Sequence, residues 1–503
     1  MIGDRLVRFS QITAYGLQFT VMKSRDFVFN IAILIFLNLL VKPFWILGVD
    51  VAVQNRVGAA AYGLYFAIFN FTYLFNVVLD MGITNFNNRN IARYNILLSK
   101  HLSGIISLKL LLGLLYMLIT FVVALCIGYD SLHFKLLFWM AINQFLNSFI
   151  LYLRSNVSAL LMFKTDSVLS VLDRLLMIVI CGILLWTNVL CTDFKIEYFV
   201  YAQTASYVIA MLVALAVVFS KAKLQKLHWN KAFFLMILKK SFPFALLYLL
   251  MAFYNRIDSV MIERLLPSEI STMQAGVYAS AFRLLDALTM IAYLFSVILL
   301  PLFSKMLKDK EDLGGILRAS FSLLFFFSVT AVTLLLAFRI PVLDLLYDAH
   351  IAESAGVFSF LIPCIIPISL TYIYGTLLTA NGSMKLLNLS AVIGIVVNLL
   401  VNFILIPRLQ ARGAAIASLS TQSVMAVIQT VIAFRVLKLP LRDIPFVRCL
   451  IYMALLIPCT LVFARFYTGN VLIALAISAL FACLIALATG LVPLKILKEF
   501  RRG

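Results

Sequence analysis

Charge is the scarcest thing in this chain. Only 12% of its 503 residues are Asp, Glu, Lys or Arg, against 64% hydrophobic residues and a mean hydropathy of +1.06. That leaves too little polar surface to cover a soluble fold of this length, so the chain is an integral membrane protein. Acid is scarcer than base, with 21 Asp and Glu against 41 Lys and Arg and a formal charge of +20. The excess lies in short loops between apolar segments and not in a basic domain, which argues against nucleic acid as a partner and makes the charge a topology signal. The seven cysteines include no CxxC pair, and no histidine stands at metal-ligand spacing, so the cysteines read as small hydrophobes. There is no GxxxxGKS/T phosphate loop, no catalytic carboxylate cluster and no sizeable soluble loop. No enzyme and no cofactor are expected.

Residues 1–26 lack an apolar core followed by a small-residue cleavage site, which excludes a signal peptide. Leu6, Phe9, Thr13, Leu17 and Thr20 fall near helical spacing, consistent with an interfacial amphipathic helix and equally with an ordinary cytoplasmic lead-in.

A hydrocarbon core about 30 Å thick needs about 20 apolar residues per helix. Cut at charged or Gly/Pro/Asn-rich breaks, the chain gives about fourteen such spans. They are 27–49, 62–82, 102–127, 134–162, 168–187, 198–219, 241–266, 275–303, 316–338, 355–379, 387–406, 413–436, 446–466 and 471–492. Barrel strands would alternate over about ten residues, and these runs do not. Counting the ends and every second connection as one side places roughly 26 Lys and Arg there and about seven opposite, which predicts that both termini are cytoplasmic.

An internal repeat divides the chain. Val49-Asp50-Val51 followed by Ala61-Tyr62-Gly63-Leu64-Tyr65 is matched by Ile257-Asp258-Ser259 followed by Ala275-Gly276-Val277-Tyr278. Six spans separate the copies, so they share one orientation and the repeat is parallel. The expected organisation is a lead-in (1–26), a first lobe of spans one to six (27–220), a basic cytoplasmic connection (221–240), a second lobe of spans seven to twelve (241–437), and an appended pair with a basic tail (438–503). The fold class is all-α, two six-helix lobes around a central cavity.

Several motifs carry a resemblance: Ile257-Asp258 with Gly276-Val277-Tyr278 and Arg283, Leu300-Pro301-Leu302-Phe303, Leu378 to Lys385, Asn398 and Asn402 to Pro407, and Gly413-Ala414-Ala415-Ile416-Ala417. In this order, over fourteen spans, they resemble the polysaccharide transporter family, the Wzx-type O-antigen flippases of the multidrug/oligosaccharidyl-lipid/polysaccharide exporter superfamily. The resemblance implies an inner-membrane flippase whose cavity is lined by spans one, two, seven and eight. It would move an undecaprenyl-pyrophosphate-linked oligosaccharide to the periplasmic leaflet by alternating access, for O-antigen, capsule or exopolysaccharide synthesis. Its partners would be the lipid-linked substrate, membrane lipids, an H+ or Na+ counter-ion and a glycan polymerase complex. The alternatives, in order, are a lipid II flippase of the MurJ type, a multidrug exporter of the same fold, and a membrane enzyme acting on polyprenyl-linked sugars.

A charge at the bilayer centre costs about 2.5–3.5 kcal/mol on insertion scales, so charges inside spans mark a protein interior or a wet cavity. Lys109, Arg174, Arg448 and Arg465 lie near span ends and can snorkel; Arg154 is deeper. Lys42, Arg256 and Arg283 are too deep to snorkel and are the candidate cavity cations, suited to a lipid pyrophosphate. Asp258 and Asp286 are the candidate ion-pair or coupling carboxylates. Asp286 stands three residues from Arg283 on one helix face, and Asp258 with Arg283 is the pairing to test first. Arg154, Arg174 and Asn143 are secondary candidates, and Asn143, Gln144, Asn398, Asn402, Gln422 and Gln429 are polar groups that line a sugar path or bond between helices. Pro363 and Pro367 are expected to bend the tenth span.

Overall fold

In hydrocarbon each backbone N–H and C=O must be satisfied within its own segment, so runs this apolar fold as helices. The computed structural model describes residues 37–38, 40–41, 43–84, 87–88, 91, 97–160, 162–187, 193–222, 231–440 and 445–492, and among these no strand occurs. A π-helical turn (Trp45–Asp50) leads into α1 (Val51–Leu74) and the short α2 (Asn76–Asp80). Four long helices follow: α3 (Leu97–Ile127), α4 (Ser131–Ala159), α5 (Phe163–Trp186) and α6 (Ile196–Phe219). The second half comprises α7 (Lys231–Leu265), α8 (Ser268–Asp309), α9 (Gly314–Ala337), the short α10 (Arg339–Leu346), α11 (Ile351–Leu361), α12 (Ile365–Ala380), α13 (Met384–Leu409) and α14 (Ala411–Leu437). The chain ends in α15 (Phe446–Phe466) and α16 (Val471–Ala488).

Thirteen stretches within the described residues are long and apolar enough to cross a membrane, and they answer one for one to spans two to fourteen. Most of span one, with Lys42, the lead-in 1–26 and much of the connection 221–240, lies outside the described residues. α1 is broken at Gly58, whose φ of 82° and ψ of 162° suit glycine and end the first span there, nine residues beyond the expected end at Val49. The tenth span is interrupted where expected: a 3₁₀ turn at Ile362–Cys364, containing Pro363, separates α11 from α12.

The repeated Gly-apolar-Tyr unit marks where the halves meet. α1 packs along α8, and a Cβ on Gly63 would collide with the backbone of Thr272 and Gly276. A Cβ on Gly276 would collide with the backbone of Ala59, so the two glycines of the repeat face each other across the lobe interface. The remaining inter-lobe contacts run mainly through α1 and α2 on one side and α7 and α8 on the other. Because the colliding atoms are backbone, Gly276→Val cannot be absorbed by a rotamer change. It is expected to destabilise the folded protein by at least about 1–3 kcal/mol, read as a lowered melting temperature in detergent; an unchanged melting curve would exclude this account of the repeat.

Candidate functional site

Four helices of the second half enclose a cavity of about 550 Å³, within the range of small-molecule sites. Each supplies a stripe at helical spacing. Tyr248, Met251 and Asn255 come from α7, and Phe282, Asp286, Thr289 and Tyr293 from α8. Thr371, Tyr372, Gly375 and Thr379 come from α12, and Ser418, Gln422 and Gln429 from α14. Tyr73 at the end of α1 is the contribution of the first half. The cavity extends from mid-bundle toward the end that carries Lys305, Lys308, Lys385 and Arg435, and the Tyr73 and Tyr248 hydroxyls meet at 2.9 Å in its lining.

At the other end the lobes are closed. Below the glycine contact, Gln54 Nε2 donates to Gly276 O at 3.1 Å and Asn55 Nδ2 to Leu346 O at 2.9 Å. His133 Nδ1 stands 2.7 Å from Asp130 Oδ1 while its Nε2 stands 3.2 Å from Glu263 Oε1 on α7. Both imidazole nitrogens thus face carboxyl oxygens, and His133 ties α4 to α7 across the two halves. Its partner Asp130, in the turn before α4, is held below the usual carboxylate range by the His133 hydrogen bond. Arg264 lies 4.0 Å above the Tyr129 ring and 2.8 Å from Glu263, completing the cluster.

Two ion pairs organise the charges inside the bundle, and neither is the pair expected from the sequence. Arg256 binds Asp286 across α7 and α8 in a two-pronged contact, Nη1 to Oδ2 at 3.2 Å and Nη2 to Oδ1 at 3.4 Å. Its guanidinium is flanked by the rings of Tyr73 at 5.3 Å and Phe282 at 5.1 Å, and both charged residues line the cavity. Arg283 turns the other way. Its Nε lies 2.7 Å from Asp50 Oδ2 and donates to Tyr62 Oη at 3.0 Å, both from the first half. Residues three apart on a helix are offset around its axis. α7 covers the flank of α8 bearing Asp286 and α1 the flank bearing Arg283, so the intrahelical Arg283–Asp286 pair gives way to two interhelical ones. Arg283 is 12% exposed and Asp50 1%, which makes this pair a lobe fastener and not part of the cavity wall.

Asp258 does not meet Arg283. It is 1% exposed and accepts four bonds from uncharged donors: Asn398 Nδ2 at 2.9 Å, Asn402 Nδ2 at 2.7 Å, Tyr278 Oη at 2.9 Å and the Ser418 hydroxyl. Asn402 Oδ1 beside it is buried with no partner among the described residues. The repeat's two acids are thus alike in sequence and unlike in company: Asp50 faces a guanidinium, Asp258 a cage of amides and hydroxyls.

The secondary candidates sit in the first half, away from the cavity. Arg154 Nε pairs with Asp166 at 2.9 Å, Arg174 lies 3.6 Å from Asp173 and 5.7 Å from the Trp45 ring, and Asn143 Nδ2 donates to Gln203 at 3.2 Å. Lys109 does not snorkel: its side chain is 1% exposed, with Nζ 2.6 Å from Asp80 and 3.0 Å from Ser148 Oγ. α3 starts at Leu97, earlier than expected, and this places Lys109 about three turns inside the helix. Arg448 and Arg465 remain exposed. The α12 stripe escaped the sequence reading, although its spacing of polar and small residues at 371, 375, 376 and 379 in an apolar run was there to be counted.

With this geometry in place the comparisons are informative. The sequence profile of a family described as polysaccharide biosynthesis protein matches residues 27–307, more than half of the chain. The chain belongs to that family. No curated protein sequence matches it. Among solved structures, a lipid II flippase MurJ in an inward closed conformation superposes with a TM-score of 0.70 at 14% identity, covering 94% of this chain and 100% of that one. An inward-facing multidrug resistance MATE family transporter of the MOP superfamily superposes with a TM-score of 0.61 at 14% identity, covering 80% and 94%. A MOP superfamily transporter from Pyrococcus furiosus gives a TM-score of 0.58 at 14% identity, covering 82% and 96%. These likenesses show the fold: a family member of polysaccharide biosynthesis built on the two-lobed architecture of MurJ and MATE transporters.

Proposed function

We propose that the protein is a flippase that moves an undecaprenyl-pyrophosphate-linked oligosaccharide from the cytoplasmic to the periplasmic leaflet of the bacterial inner membrane by alternating access, in O-antigen, capsule or exopolysaccharide synthesis. The observation that carries this reading is the cavity: one guanidinium, held by a displaceable carboxylate, in a chamber whose other lining is uncharged, with tyrosines, amides and hydroxyls set among apolar side chains. A pyrophosphate takes over the Arg256 fork from Asp286, because both are bidentate oxygen acceptors and the phosphate carries the greater charge. The uncharged walls suit sugars. The basic loops keep to the cytoplasmic side, so the cavity lies toward the cytoplasm, where such a substrate is assembled. A multidrug exporter taking cations would need an unpaired acid in the chamber; Asp286 is already paired there.

The counter-ion is H+ or Na+, carried by Asp258, whose buried carboxylate accepts from the amide nitrogens of Asn398 and Asn402 and the hydroxyls of Ser418 and Tyr278. A proton requires one of those donors to turn away and Na+ requires the amides to present their oxygens instead, so filling the site rearranges side chains of α7, α8, α13 and α14. Deletion of the gene tests the main reading. Loss of the surface glycan, with lipid-linked oligosaccharide left on the cytoplasmic leaflet of viable cells, is the expected outcome. Lethality with arrested cell-wall synthesis would turn the assignment to lipid II.

A further inference from the structure

At the closed end, away from the cavity, the two halves interlock through a second set of ionisable groups. Tyr129 and His133 belong to the first half, Glu263 and Arg264 to the second. The His133 ring stacks on Tyr129 with centroids 4.7 Å apart, and the Arg264 guanidinium lies over the same Tyr129 ring. The two carboxyl groups that His133 reaches differ sharply in access to water: the Asp130 side chain is 66% exposed and that of Glu263 5%. A neutral imidazole has one N–H and fills one such contact; filling both takes a second proton, on the ring or on a carboxyl oxygen. Glu263 also has a partner on its own half, Arg264 Nε at 2.8 Å from Oε2. Other charges on the helices around His133 are engaged elsewhere or turned to solvent. Lys135 lies 3.6 Å from Glu197 of α6, and Arg56, the charged residue of α1, is exposed with no ion pair among the described residues. The outer turns of α3 and α5, residues 121–127 and 175–186, contain no Asp, Glu, Lys, Arg or His, and α2 meets α4 at the opposite end, where Asp80 is taken by Lys109.

We infer that Asp130, His133 and Glu263 form a proton-held latch on the outward opening of the lobes, fastened when the cluster carries its second proton and loosened when that proton leaves. The latch rests on the alternating-access part of the reading above and not on the identity of the substrate. With the proton bound, the imidazole stands between two carboxyl groups and holds Glu263 to the first half. Without it, one contact sets a ring lone pair against a carboxylate, which repels. Asp130 then turns to water, and Glu263 keeps at most one neutral donor across the halves. Arg264 remains beside it, so the halves lose the ionic part of their tie while no buried charge is stranded. Histidine exchanges a proton near neutral pH, so the latch tightens as the outer solution acidifies and slackens as it turns alkaline. Asp130, at the surface and in contact with His133 Nδ1, is where the cluster meets that solution.

The test measures, by pulsed electron resonance, the distance between nitroxides on the closed ends of the two halves in the full-length protein in lipid nanodiscs. The labels are attached through a ketone-bearing amino acid at the exposed positions of Lys195 and Ala349, which leaves the seven cysteines in place. Between about pH 5.5 and about pH 9 the native protein should shift from short toward long distances. The open-to-closed ratio should rise on the order of tenfold, the worth of one charge-assisted contact. His133→Gln should give one ratio at every pH, near that of the native protein at about pH 9. Asp130→Asn keeps the cap on α4, because an asparagine oxygen accepts from Leu132 N and His133 N as the carboxylate does. It should move the midpoint of the response about half a pH unit lower, and it decides the matter if His133→Gln is not recovered. Short and long distances in proportions that pH does not alter, a response retained by His133→Gln, or an unmoved midpoint in Asp130→Asn overturns the latch and leaves alternating access standing. Short distances alone at every pH, in the native protein and in His133→Gln, overturn both.

Discussion

Arg256→Ala is expected to abolish glycan export with the protein still present in the membrane near its native level, whereas Arg283→Ala is expected to lose the protein itself. The two arginines are 27 positions apart, both well inside their helices, and differ in what surrounds them. Arg256 faces the cavity, so its loss leaves Asp286 beside water and costs little stability. It removes both prongs of the phosphate contact, each a charge-assisted bond of about 1.5–3 kcal/mol, which lowers affinity on the order of 100-fold or more. Arg283 neutralises Asp50 at a site 1% exposed, and an orphaned buried charge of this kind costs about 3–5 kcal/mol. Quantitative immunoblots of membranes alongside surface-glycan staining separate the outcomes. Asp50→Asn combined with Arg283→Ala should restore much of the lost level, because no buried charge then remains. Full export in Arg256→Ala would remove the phosphate role from this residue.

Asp258→Asn is expected to disconnect transport from the ion gradient. An asparagine fits the same volume and, by rotation of the Asn398 and Asn402 amides, keeps most of the cage bonded, so stability should change by about 1 kcal/mol or less. What it cannot do is change charge state or bind a cation as a carboxylate does. In proteoliposomes, flipping by the variant should be the same with and without an imposed H+ or Na+ gradient, while the native protein speeds up with one of the two. Asp258→Leu differs: it removes the acceptor shared by four buried donors, those left unbonded cost about 1–3 kcal/mol each, and the variant should fail to accumulate. A gradient response retained by Asp258→Asn would shift the coupling role elsewhere, and Asp286 would be examined next.

Local sequence was enough wherever the physics was local. Apolar runs of span length, broken by charged loops, dictated the helices, because a bilayer offers the backbone no other partner; thirteen of the fourteen expected spans have described counterparts. The repeat was legible because its glycines recur with the same neighbours, and the reason for them is a backbone contact that only residues without a Cβ permit. The depth of Arg256 and Arg283 was likewise visible as a conflict between charge and hydropathy.

Partners were not legible. Arg283 and Asp286 look like a helical pair, yet each is claimed by a different neighbouring helix, and the partner of Arg283 lies 233 residues away at Asp50. Lys109 looked able to reach the interface until Asp80 and Ser148 closed over it. The two acids of the repeat are interchangeable on paper, but the side chains set against them by α8 and by α13 and α14 make one a fastener and leave the other without a cation among the described residues. The sequence by itself determined that this is a helical membrane protein of two repeated halves with charges buried deep inside it. Only the tertiary structure decided which of those charges neutralise one another and which face a cavity, because ion pairing is settled by helix packing at a few ångströms and the linear order carries no record of it.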